Sequence, residues 1–324
     1  MATTRELVRI EHLSVEFPTR SGPILPVNDV SLSVERGEVL GIVGESGSGK
    51  SVTLRAIVGL IASPGRVVGG VVEIDGADIG RMSPAELRRV RGSTISMIFQ
   101  DPMASLNPVL TVGEQTMEAL RDKLGCSPGE ARDRAEALFA RVGIREPQLR
   151  MRDFPHQFSG GMAQRVMIAM AIATKPRILL ADEPTTALDV SIQDQVLDLL
   201  DDLREELSMA MILVSHDMGV IARSAARVAV MYAGRIMERG RVTDVLRSPR
   251  HPYTRMLIGS VPSITPNIER TPLAAIAGQL PNLASVREGC PFRTRCPHVR
   301  SECATVSMQL DAPEQGHGSA CPFA

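Results

Sequence analysis

One octapeptide constrains this chain more than any other feature. Gly44-Glu45-Ser46-Gly47-Ser48-Gly49-Lys50-Ser51 follows the unbroken apolar run Val39–Val43 and opens a helical pattern that continues from Lys50 towards Leu60. It fits G-x-x-x-x-G-K-[ST], and it stands in the context that gives that pattern a mechanism: buried strand, glycine loop, helix. Glycines let backbone N–H groups curl around phosphate oxygens, and the start of the following helix adds partial positive charge. Lys50 brings a full charge to the β- and γ-phosphates, and Ser51 offers a hydroxyl to Mg²⁺. Gly44 to Ser51, with Val52 in the first helical turn, are therefore the candidate nucleotide-binding residues.

The rest of the chain supplies an α/β frame. Leu7–Ile10 and Leu13–Phe17 alternate and read as edge-type strands, and Val30–Val34 alternates again. Ser83, Pro84 and Glu86 mark the start of a short capped helix over 81–92. Ile95–Phe99, Ile178–Ala181 and Met211–Val214 read as short strands. Between the first two of these, most of 110–175 has helical periodicity, including 129–142 and 160–173. Short apolar strands alternating with helices predict a parallel sheet, with the long helical middle inserted as a subdomain over about 101–175. At 324 residues the chain holds one large domain or two modest ones. Composition changes near residue 260: the segment 261–324 contains eight of the 22 prolines and four of the five cysteines. The expected division is 1–260 for the nucleotide-binding domain and 261–324 for a small Cys- and Pro-rich appendage.

Composition excludes several classes. A formal net charge of −1 gives no basic footprint for nucleic acid, and 3% aromatic residues with no Trp leave few stacking platforms. The longest apolar run, Val166–Ala173, is far short of the ~18–20 residues of a membrane span. Met1–Ile10 carries Arg5, Glu6 and Arg9 with no apolar stretch of a secretory signal. A cytoplasmic protein is expected.

Ile178–Ala181 delivers Asp182 and Glu183 at its C-terminal end, the end at which α/β sheets bind ligands. Asp182 suits Mg²⁺, held through its water shell, and Glu183 suits a general base that polarises an attacking water.

The order of further motifs carries a resemblance. Phe158-Ser159-Gly160-Gly161-Met162-Ala163-Gln164-Arg165 resembles the signature sequence of ATP-binding cassette (ABC) ATPases, with Met162 where that family usually has Gln. Gln100 resembles the Q-loop glutamine, Ala187-Leu188-Asp189 the D-loop, and Ser215-His216-Asp217 the switch-histidine motif. Phe17 sits where the family places an aromatic ring against adenine. The segments Gln100–Pro108, Gly160–Met162, Ala181–Asp189 and His251-Pro252-Tyr253-Thr254 narrow the resemblance to the ATPases of dipeptide and oligopeptide importers. Nickel importers are close relatives, and the dipeptide branch is the most similar.

The resemblance implies a P-loop ABC fold with a mixed sheet and a helical subdomain, and ATP hydrolysis with Mg²⁺. Glu183, His216 and Gln100 would be the catalytic residues, with Ser51, Gln100 and Asp182 around Mg²⁺. Ser159, Gly160 and Gly161 would face the γ-phosphate held by a second ATPase subunit, a different chain in this family. The same resemblance implies two membrane-spanning permease subunits, an extracytoplasmic solute-binding protein, a peripheral place on the cytoplasmic face of a bacterial membrane, and no nucleic-acid partner. The rival reading is a soluble ABC ATPase acting on nucleic acid or ribosomes, but such chains commonly carry two cassettes or a long coiled-coil insertion, and one phosphate loop is found.

Cys290, Cys296, Cys303 and Cys321 follow a C-x5-C-x6-C-x17-C spacing. Zinc ribbons prefer tight C-x2-C knuckles, so the looser gaps fit a 4Fe–4S cluster as well or better, and the resemblance points the same way; zinc, a disulfide pair and unliganded thiols are the alternatives.

Overall fold

The computed structural model describes residues 6–186, 188–260, 276–286, 288–312 and 316–324. These residues divide into two compact units. Met1–Gly80 and Leu213–Ala324 make up the first, and Arg81–Ile212 the second.

In the first unit, β1 (Glu6–Phe17) pairs antiparallel with β2 (Ile24–Glu35). The next strand, β3 (Val39–Val43), is buried at every residue and runs into the glycine loop and α1 (Lys50–Ile57). The strand β4 (Arg66–Ile74) pairs with the other edge of β1 and with the short β5 (Ala77–Asp78), giving the order β2-β1-β4-β5. The two predicted edge strands are thus one continuous strand, and it is internal. Its alternating residues Val8, Ile10, Leu13 and Val15 are buried between two neighbours.

The second unit opens with α2 (Pro84–Val90), whose capping box joins Ser83 and Glu86 as predicted. β6 (Ile95–Ile98) and α3 (Pro102–Ser105) precede two longer helices, α4 (Val112–Leu124) and α5 (Pro128–Arg141). Each of these starts on a capping box, Thr111 with Glu114 and Ser127 with Glu130. The cap hydroxyl and N–H hold each carboxylate, so the carboxyls of Glu114 and Glu130 sit below the usual range. Next come α6 (Pro147–Arg150), α7 (Gly160–Ile172), β7 (Ile178–Asp182), which runs parallel to β6, and α8 (Val190–Leu207). Phe139, Val142, Val166 and Ile168 are fully buried in this unit.

The wholly buried β8 (Ala210–Ser215) contains the division between the units. The first unit resumes with α9 (Met218–Ser224) and β9 (Arg227–Tyr232), which runs parallel to β3. A two-residue turn follows at Ala233-Gly234, both at positive φ as a primed hairpin turn requires, and returns the chain as β10 (Arg235–Arg241). Then come α10 (Val242–Arg247), α11 (Pro252–Gly259) and β11 (Gly318–Ser319), which pairs with β10. Among the described residues no helix is long and apolar enough to cross a membrane.

Candidate functional site

Two close approaches shape the phosphate loop. A Cβ on Gly44 would lie 2.1 Å from the carbonyl oxygen of Met231, and one on Gly49 2.0 Å from that of Pro26. Gly49 also has φ +108°, a left-handed conformation that a side chain strains against. Ser46 and Gly47 are exposed at the loop tip, whereas Ser48, Gly49 and Lys50 are buried. Lys50 Nζ donates to the carbonyls of Gly44 (2.7 Å) and Glu45 (3.0 Å), which holds the ammonium inside the curl of the loop. The first turn of α1 carries no acidic residue, and no side chain caps it. Its N–H groups and dipole are therefore directed at whatever the loop receives. Ser51 and Val52, in the first turn of α1, are half-buried. Phe17, half-buried at the end of β1, fills the space left by the missing side chain of Gly65.

In the second unit β7 ends on Asp182, 1% exposed, and Glu183 follows at φ +46°. A non-glycine residue held there costs of order 1–3 kcal/mol and is found where function demands a direction. Glu183 Oε2 accepts from Gln100 Nε2 at 3.3 Å and from Thr186 Oγ1 at 2.9 Å. Two residues singled out from sequence, Gln100 and Glu183, thus meet. No motif marks Thr186, whose one sequence signal is its position three residues after an acid at a strand end.

Ser159 is the N-cap of α7, and its Oγ accepts from the Met162 N–H at 3.4 Å. Ser159 and Gly160 are exposed; a Cβ on Gly160 would meet nothing, and one on Gly161 would meet Ile192 at 3.1 Å. The sequence's glycine pair is thus an open helix end with one tight side.

His216 is exposed immediately after β8, and Asp217 caps α9 by accepting from the Gly219 N–H at 2.7 Å. Ala187, the first residue of the D-loop motif, lies outside the described residues.

The four clustered cysteines are free and line one cavity of about 210 Å³, together with Arg250, Arg255, Arg293, Arg300 and His298. Burial pushes the Cys290 thiol up to about 11, and the nearby thiols add to the shift. Any metal bound there would have to displace that proton. Among the described residues no three His, Cys, Asp or Glu side chains are grouped to hold a metal ion. A single zinc would draw its sulfurs to about 3.8 Å from one another, given Zn–S bonds of about 2.3 Å.

A glycine loop that encloses a buried lysine, two acids at a strand end of which Glu183 is braced by a glutamine, and a serine-capped glycine helix define an ABC-type P-loop ATPase, an ATP hydrolase. Comparison with known proteins agrees. Residues 27–186 match the ABC transporter family, and residues 237–303 match the C-terminal region of oligopeptide/dipeptide transporters. The chain belongs to the ATP-binding proteins of the dipeptide/oligopeptide ABC transporter family. It is 45% identical to the dipeptide transport ATP-binding protein DppD of Escherichia coli (strain K12), over 98% of this chain and 96% of that protein. It is 46% identical to the oligopeptide transport ATP-binding protein OppD of Salmonella typhimurium, over 97% of this chain and 93% of that protein. Among solved structures it resembles a dimeric, post-hydrolysis form of the ATP-binding cassette MJ0796 bound to ADP and Pi. There the TM-score is 0.66 with 31% identity, over 72% of this chain and 98% of that one.

Proposed function

We propose that this chain is the subunit that hydrolyses ATP to drive import of dipeptides or oligopeptides through an ABC transporter. The observation that carries the reading is the phosphate loop: a buried lysine inside a glycine curl at an uncapped helix start, in a chain whose relatives are peptide-transport ATPases over nearly their full length. Gly44 to Ser51 and Val52 hold the triphosphate, and Phe17 lies against the adenine. Ser51, Asp182 and Gln100 supply the hard oxygen donors that Mg²⁺ takes. Glu183, oriented by Gln100 and Thr186, accepts a proton from the attacking water, and His216 hydrogen-bonds the γ-phosphate.

Ser159, Gly160 and Gly161 serve a second ATPase subunit, a different chain, so that two ATP molecules bridge the pair. Two permease subunits carry the substrate path, an extracytoplasmic binding protein delivers the peptide, and this chain sits on the cytoplasmic face of the membrane. The assembled complex should show ATPase activity that rises with peptide-loaded binding protein. Stimulation by nickel and not by peptide would overturn the assignment of substrate.

The segment 261–324 is read as a small domain that binds a 4Fe–4S cluster through Cys290, Cys296, Cys303 and Cys321. Support comes from the donor set: four free thiols around one cavity, with spacing too loose for zinc knuckles. Such a group would hold together a segment poor in regular structure. Anaerobically purified protein should contain iron and acid-labile sulfide; stoichiometric zinc without iron would contradict the reading.

A further inference from the structure

The phosphate loop is tied to a residue 250 positions further along the chain. Arg295 Nη1 donates to Glu45 Oε2 at 2.9 Å and to the Tyr232 hydroxyl at 3.3 Å. Nη2 donates to the carbonyl of Ile276 at 3.0 Å and Nε to that of Ala277 at 2.8 Å. All three guanidinium nitrogens are engaged, and the side chain is 5% exposed. Glu45 places a carboxylate in the loop read as the triphosphate site, where its charge would repel the ligand. Its second oxygen, Oε1, is buried without a hydrogen-bond partner, so Arg295 is what balances its charge.

The backbone of Glu45 is engaged as well. Its N–H donates to the Tyr253 hydroxyl at 3.0 Å, and its carbonyl accepts from Lys50 Nζ. A displacement of Glu45 therefore reaches Lys50 through a single residue. The segment 276–280, whose first two carbonyls Arg295 binds, also reaches the loop: a Cβ on Gly47 would be 3.4 Å from Leu280 Cδ1.

We propose that Arg295 is a positioning residue for the ATP site, which neutralises and orients Glu45 and thereby sets the phosphate loop and Lys50. The proposal rests on the reading that residues 44–51 hold ATP. It requires a guanidinium and not merely a positive charge, because only a planar fork meets Glu45 and two backbone carbonyls at once.

The test uses the full chain in its assembled transporter, with MgATP affinity, KM and kcat measured for Arg295→Ala, Arg295→Lys, Glu45→Gln and the double variant Glu45→Gln/Arg295→Ala. Arg295→Ala should raise KM and Kd for ATP on the order of tenfold to a hundredfold, with kcat changed far less, as expected when a remote contact misplaces a binding group. Arg295→Lys should recover only part of the loss. With Glu45→Gln already present, Arg295→Ala should add little, since the charge it balances is gone. A folded Arg295→Ala chain with ATP affinity within about twofold of the parent would overturn the proposal, as would an equal loss in both backgrounds. If Arg295→Ala does not fold, Arg295→Lys in the two backgrounds decides by the same criterion. Lys50→Ala is the control: unchanged ATP affinity there would overturn the reading of the loop itself, independently of Arg295.

Discussion

Two helix starts, in different units, meet the same problem in different ways. At the N-terminus of α1 no side chain caps the helix, and its buried first residue, Lys50, turns its ammonium back into the loop that precedes it. At the N-terminus of α7 a serine caps the helix, the glycines after it are open to solvent or half-open, and no lysine accompanies them. Both ends have the dipole that favours an anion. Only the first brings a full positive charge with it, so it can hold an anion without a second chain's charge. The second is suited to finish a site whose charge is supplied elsewhere. A third helix start, that of α11, is different again: buried His251 caps it through Nδ1, which accepts from the Tyr253 N–H at 3.0 Å.

The contrast can be broken at each end. The largest effect is expected at Lys50. Lys50→Ala removes the ammonium held inside the α1 cradle and should abolish measurable ATP binding in an equilibrium titration; retained affinity would show that the helix end alone suffices. Next comes Glu183→Gln, which should leave ATP binding intact while slowing hydrolysis by about 10²–10⁴-fold in a single-turnover assay. Near-normal turnover would assign the proton to another group.

The smallest effect concerns the third helix start. Burial lowers the pKa of His251 to about 4, with Arg255 contributing. Nδ1 is engaged as an acceptor, and Nε2 is buried without a partner. The carboxylate of Glu238 accepts from the His251 backbone N–H and from His317, so it does not face the ring as a free counter-charge. Because the folded value lies below the ordinary value of about 6.5, the unfolded chain binds more protons between the two values, and stability rises with pH across that window. Urea unfolding should show about 2 kcal/mol less stability at pH 5 than at pH 7. His251→Asn, which keeps a capping acceptor, should flatten that slope; an unchanged slope would place the titrating group elsewhere.

Much of the phosphate site was legible because its signals are local. The run Val39–Val43 is β3, and the loop and helix follow in the order their residues dictate. The caps at Ser83 and Ser159 could likewise be read from a few adjacent residues. The sequence pattern of β1 breaks into two runs because its pairing shifts register between Ile10 and Leu13, where His12 takes a positive φ. That bulge interrupts the alternation on which strands are recognised. Among the described residues the tail has little regular structure, yet its Phe292 is fully buried against Tyr232, Tyr253 and His251, and β11 pairs with β10. Neither that packing nor the link from Arg295 to Glu45 leaves a periodic trace in sequence, because the partners are far apart along the chain. Gln100 and Glu183 were found separately through their motifs, and their hydrogen bond emerges only in the folded unit.

The central claim is that the α7 end completes a site on another subunit. It is tested most directly by placing one cysteine at Ser159 and another in the phosphate loop of the second ATPase subunit, within an assembled transporter that carries Glu183→Gln. The account predicts a disulfide or short cross-link that forms with MgATP and is absent with MgADP. A cross-link yield that does not depend on nucleotide, or none with MgATP, would contradict it.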